Sequence, residues 1–350
     1  MLFRQLFDQV SSTYSYLLAD EVTREAVLID PVFERHVRDA ALIRELELRL
    51  LYTVDTHCHA DHVTGAWLMK EAFGSQAALA GVYGAANIDV PLKHGDVLRF
   101  GKESLEVRAT PGHTDGCLSL VTPDRKLVLT GDALLVRGAG RTDFQQGDPA
   151  LLYQSIQAQL FSLPDDCVVY PAHDYDGRTS STVGEERRFN ARIGGNAREE
   201  DFVGYMMNLA LPHPKQLDIA VPANLRGGKP AEGTMSIAPA WAPLITTYAG
   251  IQEIKPDWVA SHREDVRILD VRSEAELSGE LGHLMGAQHI PLEELRARAA
   301  EVRSDRPVVV VCQTGRRSGM ATQILGKAGI ANVANLAGGM LAWRDLGLPS

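Results

Sequence analysis

Thr56-His57-Cys58-His59-Ala60-Asp61-His62 sets three imidazoles and a carboxylate in one short stretch, directly after the apolar run Leu50-Leu51-Tyr52-Thr53-Val54. The run reads as a buried strand, which makes the histidine-rich stretch a loop at that strand's carboxyl end. Neutral imidazole nitrogen and carboxylate oxygen are the usual donors to Zn, Fe or Mn, and an H-x-H-x-D-H array has no simple packing rationale. Further candidate ligands follow other predicted strands. His113 lies in Pro111-Gly112-His113-Thr114 after the strand at 105–109, and Asp132 in Thr130-Gly131-Asp132 after the strand at 126–129. His173 lies in Pro171-Ala172-His173-Asp174-Tyr175 after Val168-Val169-Tyr170. Ligands converging from the ends of several strands are what an open α/β sheet can offer.

At 350 residues the chain exceeds what one hydrophobic core normally serves, so two domains are expected. Strands and helices alternate over 13–122: a strand at 26–30, helical periodicity at 33–46, the strand at 50–54, and a helix at 63–73. Hairpins follow about Gly101-Lys102 and Pro123-Asp124, then helices at 149–161, 183–191 and 198–210. Between Pro212 and Pro243, Pro214, Pro222, Pro230 and Gly227-Gly228 read as an extended linker. Domains are therefore expected at 1–240 and 250–350. The second repeats the α/β alternation, with strands at 266–271 and 308–311 and helices at 293–302 and 317–328.

A net charge of -10 with no basic tract argues against a nucleic-acid binder. No apolar run approaches the roughly 20 residues that span a bilayer, and Met1-Leu2-Phe3-Arg4-Gln5 lacks a secretory h-region. The four cysteines are scattered with no CxxC pair, which suits reduced thiols and a cytoplasmic location.

The order T-H-x-H-x-D-H, G-H-T, G-D, H resembles the metallo-β-lactamase superfamily over about the first 240 residues. The resemblance implies an α/β fold, an αββα sandwich. In that superfamily His57, His59 and His113 would correspond to one metal site; Asp61, His62 and His173 would build a second, with Asp132 bridging. Binuclear zinc members of the glyoxalase II type hydrolyse glutathione thioesters with a metal-bound hydroxide. Persulfide dioxygenases form another branch, in which His57, His113 and Asp132 alone would hold one Fe(II). Two imidazoles and a carboxylate are the ligand set of non-haem Fe(II) oxygenases and leave positions open for O2 and substrate. His59, Asp61, His62 and His173 would then orient ligands or waters.

The ligand inventory fits both branches. The segments Gly140-Arg141-Thr142-Asp143-Phe144-Gln145-Gln146-Gly147, His113-Thr114-Asp115-Gly116-Cys117, His173-Asp174-Tyr175 and Val221-Pro222-Ala223-Asn224-Leu225-Arg226 resemble the dioxygenase branch. Within it Arg141, Tyr175 and Arg226 are candidates for binding glutathione, a guanidinium being suited to bidentate recognition of a carboxylate.

Pro307-Val308-Val309-Val310-Val311 reads as a strand buried on both faces, and Cys312-Gln313-Thr314-Gly315-Arg316-Arg317-Ser318 follows at once. A cysteine in a loop entering a helix N-terminus meets backbone N–H dipoles and guanidinium charge, which favour thiolate. A cysteine phosphatase is the competing reading on local chemistry. The surroundings, Asp270-Val271-Arg272-Ser273, Gly282-His283-Leu284-Met285-Gly286-Ala287-Gln288-His289-Ile290-Pro291 and Gly338-Gly339-Met340-Leu341-Ala342-Trp343, resemble the rhodanese family over about 250–349. That implies a rhodanese-like α/β domain with a central parallel sheet. Cys312 would carry a sulfane sulfur as a persulfide, stabilised by loop amides and Arg317.

Together the two resemblances imply a bifunctional enzyme. One half would oxidise glutathione persulfide with O2 to sulfite and glutathione on one Fe(II). The other would move sulfur between thiosulfate and glutathione through Cys312. No nucleic acid or membrane is expected as a partner, and a homodimer is.

Overall fold

The chain divides into two compact units, Met1–Thr234 and Met235–Ser350, and the computed structural model describes residues 1–231 and 240–349. In the first unit, strands β1 (Leu2–Asp8), β2 (Thr13–Ala19), β3 (Glu25–Ile29), β4 (Arg49–Val54), β5 (Gln76–Ala80) and β6 (Val90–Leu92) form one sheet in that order. Pairing is antiparallel from β1 to β3 and parallel from β3 to β6. A second sheet contains β7 (Val97–Phe100), β8 (Glu103–Ala109), β9 (Leu118–Val121) and β10 (Leu127–Gly131). The small hairpin of β11 (Leu134–Leu135) and β12 (Gly138–Ala139) stands apart, and β13 (Val168–Pro171) and β14 (Ser181–Thr182) complete the second sheet in the order β14-β13-β10-β9-β8-β7.

Strand alternation decides which residues fill which layer. On β2, Tyr14, Tyr16 and Leu18 point between the sheets to meet Phe100, Leu105 and Leu120, whereas Leu17 and Ala19 point outward to Leu42, Ile43 and Met69. On the second sheet Val128 and Val169 face outward, onto Leu152, Val183 and Phe202 of three helices. The result is the expected αββα sandwich. The parallel strands β3–β4–β5 and β10–β13 bring their carboxyl ends, and with them the histidine loop, Asp132 and His173, to loops at the sheet edges, and His113 follows β8, which is antiparallel to its neighbours.

One expectation is corrected. The proline-bearing stretch read as an extended linker contains a helix, Leu217–Asn224, with Pro222 inside it. Residues 232–239 of that stretch lie outside the described residues. Trp241, Ala242 and Leu244 already pack in the core of the second unit.

The second unit is one sheet of β15 (Ile245–Thr246), β16 (Gln252–Ile254), β17 (Arg267–Asp270), β18 (Gln288–His289), β19 (Val308–Val311) and β20 (Val333–Leu336), in the order β15-β16-β20-β19-β17-β18. All pairs except β15–β16 are parallel. The valines of β19 divide between two cores: Val309 and Val311 pack with Trp343 on one face, Val308 and Val310 with Leu325 on the other. That is why the run is continuous rather than alternating. Among the described residues no helix is long and apolar enough to cross a membrane.

Candidate metal centre and reactive cysteine

His57 follows β4, His113 follows β8 and Asp132 follows β10, and one ligand atom from each lies within 4.8 Å of the others. Asp132 Oδ2 stands 3.9 Å from His57 Nε2 and 3.6 Å from His113 Nε2. The opposite ring nitrogens are tied back. His113 Nδ1 donates to the Arg141 carbonyl at 2.6 Å. The Thr56 hydroxyl donates to Asp30 at 2.9 Å, which leaves its oxygen to accept from His57 Nδ1 at 3.1 Å. Both rings therefore present an unprotonated Nε2 to the common point. Burial lowers the pKa of each, well below the ordinary value for His57, so both are neutral imidazoles. Two neutral imidazoles and a carboxylate fit a divalent transition metal.

Backbone approach at this centre requires a glycine at 140. A Cβ there would stand 2.1 Å from the Asp132 carbonyl and 2.9 Å from the His113 ring.

His173 is placed differently. Its Nδ1 donates to Asp132 Oδ1 at 2.7 Å and its Nε2 to Asp61 Oδ2 at 3.0 Å. Burial opposes charge on this ring, but the Asp132 and Asp61 carboxylates outweigh it and raise its pKa well above the ordinary value. With both ring nitrogens taken by carboxylates, His173 presents no free nitrogen to the point shared by His57, His113 and Asp132. Asp132, in spite of its burial, is held well below the usual carboxylate range by His173, through its charge and its hydrogen bond.

His59, Asp61 and His62 form a second cluster beside the first. His62 Nδ1 pairs with Asp61 Oδ2 at 2.9 Å, and His59 Nε2 with Asp30 Oδ1 at 3.0 Å. Burial disfavours charge on His59, yet Asp30 pushes its pKa up to about 9. His59 Nδ1 and His62 Nε2 are buried and have no hydrogen-bond partner among the described residues.

Three residues in this network had not been singled out from sequence. Thr13 Oγ1, at the start of β2, reaches Asp61, His62 and His173 within 3.3 Å. Asp30 takes the Thr56 N–H and hydroxyl together with His59, and its place at the end of an apolar strand was the available signal. Asn224 closes the loop: its Nδ2 donates to the His59 and His62 carbonyls at 2.9 Å each, and its Oδ1 accepts from Thr64 N–H at 2.8 Å. Asn224→Ala orphans these buried groups. It is expected to cost at least about 2 kcal/mol in a denaturant melt and to weaken metal binding about tenfold in chelator competition.

A cavity of about 110 Å³ above His57, His113 and Asp132 shares Arg141, Tyr175 and Arg192 with a wider groove of about 680 Å³, the size of a small-ligand site. Tyr175 stacks on His173 with ring centroids 6.2 Å apart, and its side chain is exposed in the groove. Arg141 lines both spaces, but its guanidinium already serves Asp143 and the carbonyls of Leu211 and Pro212, so it acts first as a clamp on that segment. Arg226 does not line either space; its carbonyl accepts from Asn87. Arg192 and Lys215 are the cations that sequence reasoning missed there.

In the second unit Cys312 Sγ accepts from Gly315 N–H at 3.2 Å and from the Ser318 hydroxyl at 3.1 Å. Burial disfavours its thiolate, but the Ser318 hydroxyl and the amides of Ser318, Thr314 and Gly315 outweigh burial and bring its pKa below the usual thiol value. Burial instead pushes Cys58 and Cys117 up to about 12 and Cys167 to about 11. Cys312 is thus the activated thiol among the four. Gly339 lets the last helix dock on this loop: its φ is 61°, and a Cβ would meet the Cys312 carbonyl at 2.4 Å.

Arg317 lies within electrostatic reach of Cys312 but its guanidinium is paired with Glu276, at 2.7 and 2.5 Å, and Ser318 makes the direct contact with the sulfur.

The model of the metallo-β-lactamase superfamily matches residues 8–173, and that of the rhodanese-like domain matches 255–346. Over 229 residues, 65% of this chain and 89% of the relative, the sequence is 54% identical to the mitochondrial persulfide dioxygenase ETHE1 of Homo sapiens. The crystal structure of ETHE1 from Myxococcus xanthus superposes with a TM-score of 0.63 at 49% identity, covering 65% of this chain and 100% of that one. A hydroxyacylglutathione hydrolase, GloC of Haemophilus influenzae, is 33% identical over 48% of this chain and 86% of its own length. The chain belongs to the persulfide dioxygenase family of the metallo-β-lactamase superfamily and carries in addition a C-terminal rhodanese-like domain.

Proposed function

We propose that the first unit oxidises glutathione persulfide with O2 and water to glutathione and sulfite, using one Fe(II) held by His57, His113 and Asp132. The observation that carries this reading is the separation of roles at Asp132. Oδ2 faces the Nε2 atoms of His57 and His113, whereas Oδ1 is bonded to His173 Nδ1, whose other ring nitrogen is taken by the Asp61 carboxylate. A two-histidine, one-carboxylate centre supplies redox chemistry with O2 and leaves positions open for the substrate sulfur. The protein's part is to fix the two rings through Thr56 and the Arg141 carbonyl, and to keep His173 out of the ligand set. The groove beside the cavity would take the tripeptide, with Tyr175 along its length and Arg192 and Lys215 toward its carboxylates.

In the second unit, the Cys312 thiolate would attack the outer sulfur of thiosulfate. The S–S bond breaks, sulfite leaves with the electron pair, and Cys312 becomes a persulfide. Attack by glutathione thiolate on the terminal sulfur then forms glutathione persulfide and restores the Cys312 thiolate. The product of one unit is in this way the substrate of the other.

A second reading, a binuclear zinc glutathione thioesterase, is favoured by the unpartnered His59 Nδ1 and His62 Nε2, which could face a second metal. Metal analysis of the purified protein together with an oxygen electrode separates the two. The dioxygenase reading expects one iron per chain and stoichiometric O2 uptake on addition of glutathione persulfide. Two metals per chain with thioester hydrolysis and no O2 uptake would establish the alternative.

A further inference from the structure

The pairing of Arg317 with Glu276 has a consequence for which sulfur donors reach Cys312, and it rests on the sulfur-transfer reading above. Cys312 follows β19, and the segment carrying Glu276 follows the adjacent parallel strand β17, so the two sit over the same sheet edge. Arg317 is the second residue of the helix that begins beyond the Cys312 loop, and it lies within electrostatic reach of the thiolate. Glu276 takes a bidentate pair from Arg317 and is itself fixed by the Ser273 N–H at 3.1 Å and the Ser273 hydroxyl at 3.0 Å. The other guanidinium of this segment, Arg272, is buried and bonded to Asp270 and to the Gly282 carbonyl.

We propose that Glu276 is a specificity-determining residue: by neutralising Arg317 beside Cys312, it limits how strongly the site takes up a dianionic sulfur donor and widens the site's acceptance to less charged ones. A free Arg317 would present a full positive charge and a planar fork of N–H donors to an incoming oxyanion. With Glu276 in place the pair is neutral, and an anion must compete with a held carboxylate for the same N–H groups.

Full-length wild-type, Glu276→Gln and Ser273→Ala proteins would be assayed with thiosulfate, a dianion, and benzenethiosulfonate, a monoanion, with cyanide as acceptor. Glu276→Gln keeps an oxygen that can accept from Ser273 but removes the charge. Its KM for thiosulfate should fall about three- to tenfold and that for benzenethiosulfonate less than about twofold, with kcat little changed. The thiosulfate KM of the variant should also rise more steeply with KCl than that of the wild type, because an unpaired cation is screened by salt. Ser273→Ala loosens the glutamate's hydroxyl contact without altering charge and should leave the ratio of the two KM values unchanged. An equal change for both donors in Glu276→Gln, or the same shift in Ser273→Ala, would overturn the proposal and leave Glu276 a loop support. Mass spectrometry distinguishes this from failure of the underlying reading. If neither donor leaves a persulfide on Cys312, sulfur transfer itself is refuted and the proposal with it.

Discussion

Asp132→Asn is expected to leave the protein folded and nearly iron-free, with O2 uptake on glutathione persulfide reduced more than about a hundredfold. The size of the effect follows from the two jobs of one carboxylate. Oδ2 is the negative point shared by the Nε2 atoms of His57 and His113, and Oδ1 is one of two carboxylate oxygens that keep His173 charged. An amide removes the charge and leaves the His173 imidazolium with Asp61 alone. Iron per chain by elemental analysis and O2 consumption check the outcome. Iron content and activity within threefold of wild type would refute the ligand assignment. Transfer from thiosulfate should be unaffected, because Cys312 belongs to a unit with its own core.

The mirror experiment is Cys312→Ser, which should abolish transfer from thiosulfate, by more than about a thousandfold, while O2 uptake stays at the wild-type level. A serine hydroxyl is not ionised at neutral pH and cannot attack a sulfane sulfur as thiolate does. In the wild type, the loop amides and Ser318 lower the cysteine's pKa against the effect of burial. The rate of transfer should therefore climb with pH and level off below the ordinary thiol value of about 8.5, since only the deprotonated form reacts. Surviving transfer in the serine variant, or a rate that goes on rising through pH 9, would count against Cys312 as the activated nucleophile.

What could be read without coordinates was whatever is local. The apolar runs at 50–54 and 308–311 reveal strands, and the residues just after them carry their chemistry in their own side chains. His57, His113, Asp132 and His173 could be gathered as candidate ligands because each follows such a run, whereas the narrower set of three came only from the resemblance; Cys312 could be read because its loop amides come from its own neighbours. What was not legible was partnership across the chain. A guanidinium reads as free until the structure shows what holds it, and Asp143, the carbonyls of Leu211 and Pro212, and Glu276 had already claimed Arg141 and Arg317. Proline at 222 and the glycines after it argued for an irregular linker. The tertiary contacts of Asn224 with the histidine loop overrode that local signal.

The hydrogen bonds of Thr13 and Asn224 bear on how the first unit comes to exist at all. His173 meets Thr13 across 160 positions, and Asn224 meets the His59 carbonyl across 165. Contacts of that span form late, after the loops between them have closed. During synthesis the chain emerges from its amino end, and the histidine loop must wait for residue 224 before it is clamped. The final clamping of the histidine loop is then a closing event of folding rather than a nucleus for it.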